Sequence, residues 1–249
     1  MKHPAFATPF FDAVRAELDA LAEHSGSNDR DALNALAAGR SASVRFVAPS
    51  IDISAVKYEM TIAATGDIPT RDNAHDFFNA LQWLAFPQTK GAINAGHLRH
   101  AGGAGVRPVA RDVLTMIDES GVIVASADEA LLTLLREFKW RELFVERRAD
   151  VIARMRFALI GHGLMEKALA PFIGLTGKAI LLNIADDQSL DAAAARWIAD
   201  DSHLASSRML SPLPLLGIPG WDERNENSAF YDNTGYFRTG RRDRTSKSA

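Results

Sequence analysis

Seven polar residues fall within a short stretch of this chain. They are His75, Asp76, Asn79, Trp83, Lys90, Asn94 and His97, spread along Asn73–His97 with Pro87 in the middle. Asn73 fits a helix N-cap, with Asp76 three residues on. Pro87 fits the first turn of a second helix. On the first helix Asp76, Asn79 and Trp83 are spaced i, i+3, i+7, and His75 overlaps Asn79 at i, i+4. Lys90, Asn94 and His97 make the same kind of stripe on the second. A fold at Pro87 that brings the stripes together would build a polar pocket. His and Asp can ligate a metal or move protons, Lys can hold an anion, and Asn offers both donor and acceptor. The plainer reading is that His75 and Asp76 serve the helix N-terminus and that Lys90 and His97 are solvated.

A second pair, His162 and Glu166, is spaced i, i+4 in an apolar segment. A carboxylate on an apolar face needs a partner. The pair reads as a His–Glu hydrogen bond, as an acid/base couple or as two metal ligands, which His75, Asp76 or His97 would complete to a His/carboxylate site if nearby. Arg71, Arg111 and Arg238 sit beside turns or strand ends, where they can bind an anionic group or form surface ion pairs. Asp112, Asp118 and Glu119 flank an expected hairpin, and their carboxylates read as turn-forming.

The elements that must position these groups follow from periodicity and punctuation. Helices are expected over Phe10–Ala22, from Asn28 or Asp29 to Gly39, from Asn73 to Phe86, from Pro87 to about His100, from Asp128 to Phe138, after Arg148 as far as Pro171, over Leu175–Ile184, and over Leu190–Ile198. Ser43–Ala48 alternates as a strand, Val56–Ala64 fits either state, and Gly66–Pro69 is a turn. Val113–Ile117 and Val122–Ala125 around Asp118-Glu-Ser-Gly121 are expected to form a β-hairpin. From Ser211 onward Pro and Gly forbid long regular structure, so this segment should wrap the domain through Leu215, Trp221, Phe230, Tyr231 and Phe237. The basic stretch 241–249 should be a disordered tail. The sum is one α+β domain over residues 1–240, mostly helical, with a small antiparallel hairpin or sheet.

Composition removes several alternatives. The chain has 249 residues, 47% hydrophobic and 24% charged, with net charge -3 and no cysteine. Length and hydrophobic content suffice for a substantial core. The charge offers no global attraction to nucleic acid. Without cysteine there is no disulfide, thiolate nucleophile or Cys-ligated metal. The apolar segment Val151–Ala170 carries Arg154, Arg156, His162, Glu166 and Lys167, too many charges for a membrane span. Neither a hydrophobic leader nor a membrane segment is read, so a cytoplasmic location is expected. Gly174-Leu-Thr-Gly-Lys178 echoes a phosphate-binding loop, but Phe172 occupies the place of its first Gly and no Ser or Thr follows Lys178.

The run His75-Asp-Phe-Phe-Asn-Ala-Leu-Gln-Trp-Leu-Ala-Phe-Pro-Gln-Thr-Lys-Gly-Ala-Ile-Asn94 resembles the signature of the bacterial domain-of-unknown-function 3025 family. So do Arg111-Asp-Val-Leu-Thr, Asp118-Glu-Ser-Gly, Trp140–Val145, Gly161-His-Gly with Glu166-Lys167, Gly174–Lys178, Pro212–Trp221, and Phe230-Tyr-Asp with Phe237-Arg238. The resemblance spans roughly Val44 to Arg238. It implies one integrated domain and carries no established reaction.

The expectation is therefore an enzyme, a metal-assisted hydrolase for a small or phosphorylated polar substrate. His75, Asp76 and His162 would be ligands of a divalent metal ion or proton carriers, and Glu166 the base or the residue that orients His162. Asn79, Lys90, Asn94, Arg111 and Arg71 would bind substrate. The alternative is a non-catalytic protein that grips RNA or another anionic partner through Lys90, Arg71, Arg111 and the tail residues Arg241, Arg242 and Arg244. A third reading makes the polar groups a buried network that fixes helix packing.

Overall fold

The computed structural model describes residues 3–23, 29–40, 42–49, 54–102 and 108–241. Residues 242–249 of the expected disordered tail, with Arg242 and Arg244, lie outside these residues, as does Asn28; Arg241, expected in that tail, instead donates to the carbonyls of Arg208 and Leu210. The helices are α1 (Arg15–Ala22), α2 (Asp29–Gly39), α3 (Ala55–Thr65), α4 (Ala74–Ala85), α5 (Pro87–Arg99), α6 (Val109–Ser120), α7 (Glu129–Arg136), α8 (Arg148–Arg154), α9 (His162–Lys167) and α10 (Leu190–Ala199). The strands are β1 (Arg45–Val47), β2 (Asp67–Pro69), β3 (Gly121–Ser126), β4 (Arg156–Leu159), β5 (Thr176–Asn183) and β6 (Ser211–Pro214). The fold is mostly helical α+β, as expected. No helix among the described residues is long and apolar enough to cross a membrane.

β1 and β2 form a small parallel pair. The larger sheet has the order β4-β3-β5-β6, with β3 antiparallel to β4 and parallel to β5, and β5 antiparallel to β6. Every residue of β3 is buried, because helices cover both faces of the sheet. Strand geometry sends alternate side chains to opposite faces. Val122 and Val124 pack with Phe77, Phe78 and Leu81 of α4 and Leu164 of α9. Ile123 and Ala125 pack with Ile93 of α5, Val113, Leu114 and Ile117 of α6, and Ile198 of α10.

Several expectations are corrected here. Gly66–Pro69, expected as a turn, supplies the strand β2, and the sheet expected to be antiparallel is mixed, because β3 and β5 run parallel. The hairpin around Asp118–Gly121 does not exist: 109–120 is the helix α6, which runs directly into β3. Val113, Leu114 and Ile117 lie on one helical face and are fully buried, a spacing of i, i+1, i+4 that suits a helix packed on a sheet. The long helix after Arg148 is three elements, α8, β4 and α9, because 156–159 pairs with β3 instead. Leu175–Ile184 is largely the strand β5. Val56–Ala64, left open between extended and helical, lies in α3, capped by the Ser54 hydroxyl. The strand within Ser43–Ala48, α2, α4, α5, α7 and α10 stand close to where they were expected. Phe10–Ala22 starts as a 3-10 turn before becoming α1.

The C-terminal wrap is anchored as expected. Tyr231 donates to the Gly217 carbonyl at 2.7 Å and Tyr236 to the Leu175 carbonyl at 2.7 Å. Asn225 is buried and donates to the carbonyls of Leu216 and Ile218.

Candidate metal centre

Two short local devices set the site. The first is the α4 cap: Asn73 Oδ1 accepts from the Asp76 N–H at 2.8 Å. This starts the helix so that His75 stands in its first turn. The second is the α6–β3 junction. The Gly121 carbonyl accepts from both Ile160 N–H (3.0 Å) and Gly161 N–H (2.9 Å). That clamp sets the start of α9 against the end of α6, so His162 faces Glu119. The approach is close enough that a Cβ on Gly161 would lie 2.5 Å from the Ser120 and Gly121 nitrogens, and one on Gly163 would lie 2.3 Å from Glu119 Oε2.

Three donor atoms from three elements converge as a result. His162 Nε2 lies 3.0 Å from His75 Nε2 and 3.4 Å from Glu119 Oε1, and His75 Nε2 lies 3.7 Å from Glu119 Oε1. A point equidistant from these three atoms is about 2 Å from each, the length of a bond from a divalent metal to imidazole nitrogen or carboxylate oxygen. Two imidazoles and one carboxylate are a donor set suited to zinc or ferrous iron. His162 is buried, and His75 and Glu119 are half-buried, so the triad opens to solvent on one side.

The second tier is also in place. His75 Nδ1 lies 3.1 Å from Glu166 Oε2, and a carboxylate on that nitrogen favours the tautomer that leaves Nε2 free to ligate. Glu166 thus orients His75, not His162, its expected partner. On the other side, His162 Nδ1 stands 3.8 Å from Asp118 Oδ1, beyond hydrogen-bond reach. The buried Lys90 ammonium bonds Asp118 Oδ1 and donates to Asn79 Oδ1 at 2.7 Å. Asn79 Nδ2 donates in turn to the Tyr58 hydroxyl oxygen at 3.0 Å.

The electrostatics follow from these partners. The hydrogen bond and charge of His162 hold the Glu119 carboxyl below its ordinary range against the effect of burial. Burial alone would raise Asp118, but the charges of Lys90 and His162 keep it low. Glu59 behaves in the opposite sense. Burial pushes its carboxyl up to about 7, although Asn94 Nδ2 donates to it at 2.6 Å.

A cavity of about 530 Å³ opens over the cluster, lined among others by Tyr58, Glu59, Arg71, His75, Glu119 and His162. The expected residues divide around it. Asp76 and Asn79 also line the cavity, whereas Lys90, Asn94, Glu166 and Arg111 do not. Lys90 and Asn94 support its wall from behind, both buried. Arg111 is half-buried in the first turn of α6, where its charge acts on Glu59. Asp76, expected as a metal ligand, is placed otherwise. Its two oxygens accept from Arg71 Nε (3.0 Å), Nη2 (2.9 Å) and backbone N–H (2.7 Å). Burial would raise the Asp76 carboxyl, and these bonds hold it below the ordinary range. Arg71 is correspondingly tied down by the bidentate pair. Glu119 takes the third position at the triad.

A family model described as Protein of unknown function (DUF3025) matches residues 44–241. The chain belongs to this family. The DUF3025 segment begins just before β1 and contains the whole triad, Glu166, the Lys90–Asp118 pair and Glu59, while α1 and α2 precede it. No curated protein and no solved structure matches the chain.

Glu119 and Asp118 were expected as turn carboxylates, and Tyr58 and Glu59 were not singled out. For the first two the signal was present. Val113, Leu114 and Ile117 at helical spacing would have placed Asp118-Glu119 in the last turn of a helix instead of in a hairpin loop. Tyr58 and Glu59 lie in a segment whose pattern fits either state.

Proposed function

We propose that this chain is a metal-dependent hydrolase, with His75, His162 and Glu119 as ligands of a divalent ion. The observation that carries the reading is the convergence of the two Nε2 atoms and one carboxylate oxygen at the mouth of a cavity. A divalent ion there would supply Lewis acidity and acidify a coordinated water.

The chain's own residues would supply the rest. Glu166 keeps His75 in the ligating tautomer. The Lys90–Asp118 pair backs His162 and fixes Asn79 and, through it, Tyr58 on the cavity wall. Glu59, with its carboxyl near neutrality, is suited to accept a proton from the attacking water and return it to the leaving group. The substrate class that fits is small and polar, an ester or a phosphoester. Asn79, Tyr58 and the rim residue Arg71 would contact it.

The test is metal content by plasma mass spectrometry of untagged protein purified without chelator, together with metal-dependent hydrolysis of carboxylic and phosphoric ester panels. The expected result is about one divalent ion per chain, lost in folded His75→Ala, His162→Ala and Glu119→Ala variants and kept in Asp76→Asn. A wild-type protein that neither carries nor takes up zinc, manganese or ferrous iron sinks the proposal. Iron with turnover of dioxygen in place of water would keep the centre and replace the reaction, because the same donor set serves ferrous oxygenases.

A further inference from the structure

A second cavity, of about 440 Å³, lies where the start of β5, strand β6 and the C-terminal segment meet. Its volume falls in the range of small-molecule sites. The aromatic residues Phe138, Trp140 and Tyr236 line it together with the cations Lys178, Arg238 and Arg241, and no carboxylate does. Lys178 belongs to the Gly174–Lys178 stretch that lacks the requirements of a phosphate-binding loop. In the fold that stretch opens β5: Gly174 adopts a left-handed φ of 110°. Gly177 packs so closely that a Cβ would stand 2.4 Å from a Val122 methyl, and Lys178 points into the cavity lining.

The charges in this cavity are unbalanced. Lys178 is half-buried and makes no hydrogen bond or ion pair with any described residue. Burial, and then the positive charge of Arg241, both lower its ammonium pKa. Arg241 is held in place by donating to the carbonyls of Arg208 (2.6 Å) and Leu210 (3.1 Å), which are neutral and leave its charge uncompensated. Removing an ammonium from water beside a second cation is unfavourable without an anion. The half-buried Phe138 ring supplies apolar area beside it, and the buried Trp140 and Tyr236 add the little surface they expose to the cavity.

We propose that this cavity binds a small organic anion whose acid group meets Lys178 and Arg241 and whose flat apolar body lies against Trp140, Phe138 and Tyr236. The site is separate from the His75–Glu119–His162 centre and does not depend on it.

Calorimetry on the full chain tests this with 2-naphthalenesulfonate as probe, and with sulfate and 2-naphthalenemethanol as its charged and apolar halves. Naphthalenesulfonate should bind saturably, and at least about tenfold more weakly to Lys178→Met, as expected for loss of a charge-assisted contact. Sulfate and the neutral alcohol should each bind at least about tenfold more weakly than the whole probe. Arg241→Gln should weaken binding in the same direction and gives the readout if Lys178→Met fails to fold. His75→Ala should leave the affinity unchanged. The proposal is overturned by absence of saturable binding, by equal affinity in the folded variants, by sulfate binding as tightly as the probe, or by loss of binding in His75→Ala.

Discussion

The Nε2 atoms of His75 and His162 lie 3.0 Å apart across 87 residues of sequence, with the rings edge to face at 75°. Two imidazole nitrogens reach that separation if one donates its proton to the other, or if both lone pairs face a shared cation. The proposed metal centre takes the second case, in which Glu119 Oε1 completes a triangle whose sides all suit ligands of one ion.

Glu166 touches only one member of that triangle. Its carboxylate sits on His75 Nδ1, so Glu166→Gln should weaken cation binding without abolishing it. Losing a partner of this kind typically costs tenfold to a hundredfold in metal affinity, and a drop of about that size is expected in a zinc titration against a competing chelator. An unchanged affinity would mean that Glu166 is a solvated surface group.

The two glycines around His162 should fail in different ways. A methyl at position 163 meets the mobile end of Glu119, whereas one at position 161 meets the backbone of Ser120 and Gly121. Gly163→Ala should therefore keep its melting temperature within a few degrees and lose at least about tenfold in cation affinity as the carboxylate swings aside. Gly161→Ala should destabilise the whole chain by about 2–4 kcal/mol, as overpacking against rigid backbone does. Thermal melts and metal titration of the two variants separate the effects.

Glu59 links stability to pH. Its folded carboxyl titrates near 7, above the ordinary value of 4.5. The contribution is therefore fully present below the unfolded value and is lost as pH rises through 7. Glu59→Gln removes that loss and keeps an acceptor for Asn94. Relative to wild type, the variant should gain about 1–2 kcal/mol between pH 5 and pH 8, allowing for the partial exposure of the group. Denaturant unfolding at the two pH values measures it, and a difference that stays flat with pH would remove Glu59 as a group of near-neutral pKa.

Much of the helical frame was legible because its signals are local. Asn73 caps α4 with its own side chain, Pro87 opens α5, and Asp128 and Ser189 cap α7 and α10. The central sheet was not. β3 and the interior of β5 are covered on both faces, so they lack the alternation that marks a half-buried strand. β4 exists because β3 offers it a partner, a fact held 31–37 residues away in the sequence. The site inherited the same division. His75, Asp76, Asn79, Arg71 and His162 were recognisable by type and do line one cavity. Glu119 was hidden because its helix was read as a strand and a turn.

The carbonyl of Gly121, shared by the amides of Ile160 and Gly161, has a wider consequence. The spacing between the carboxylate arm and the His162 arm is set by peptide groups, which every residue carries, together with Gly161, where backbone leaves no room for a side chain, and Gly163, where one would displace the Glu119 carboxylate. The surrounding core can exchange one aliphatic residue for another without re-aiming either arm. Glu119–Gly121 and Ile160–Gly163 therefore make a portable clip, two short pieces that could be transplanted together onto another antiparallel strand pair to present an acid and an imidazole to one point.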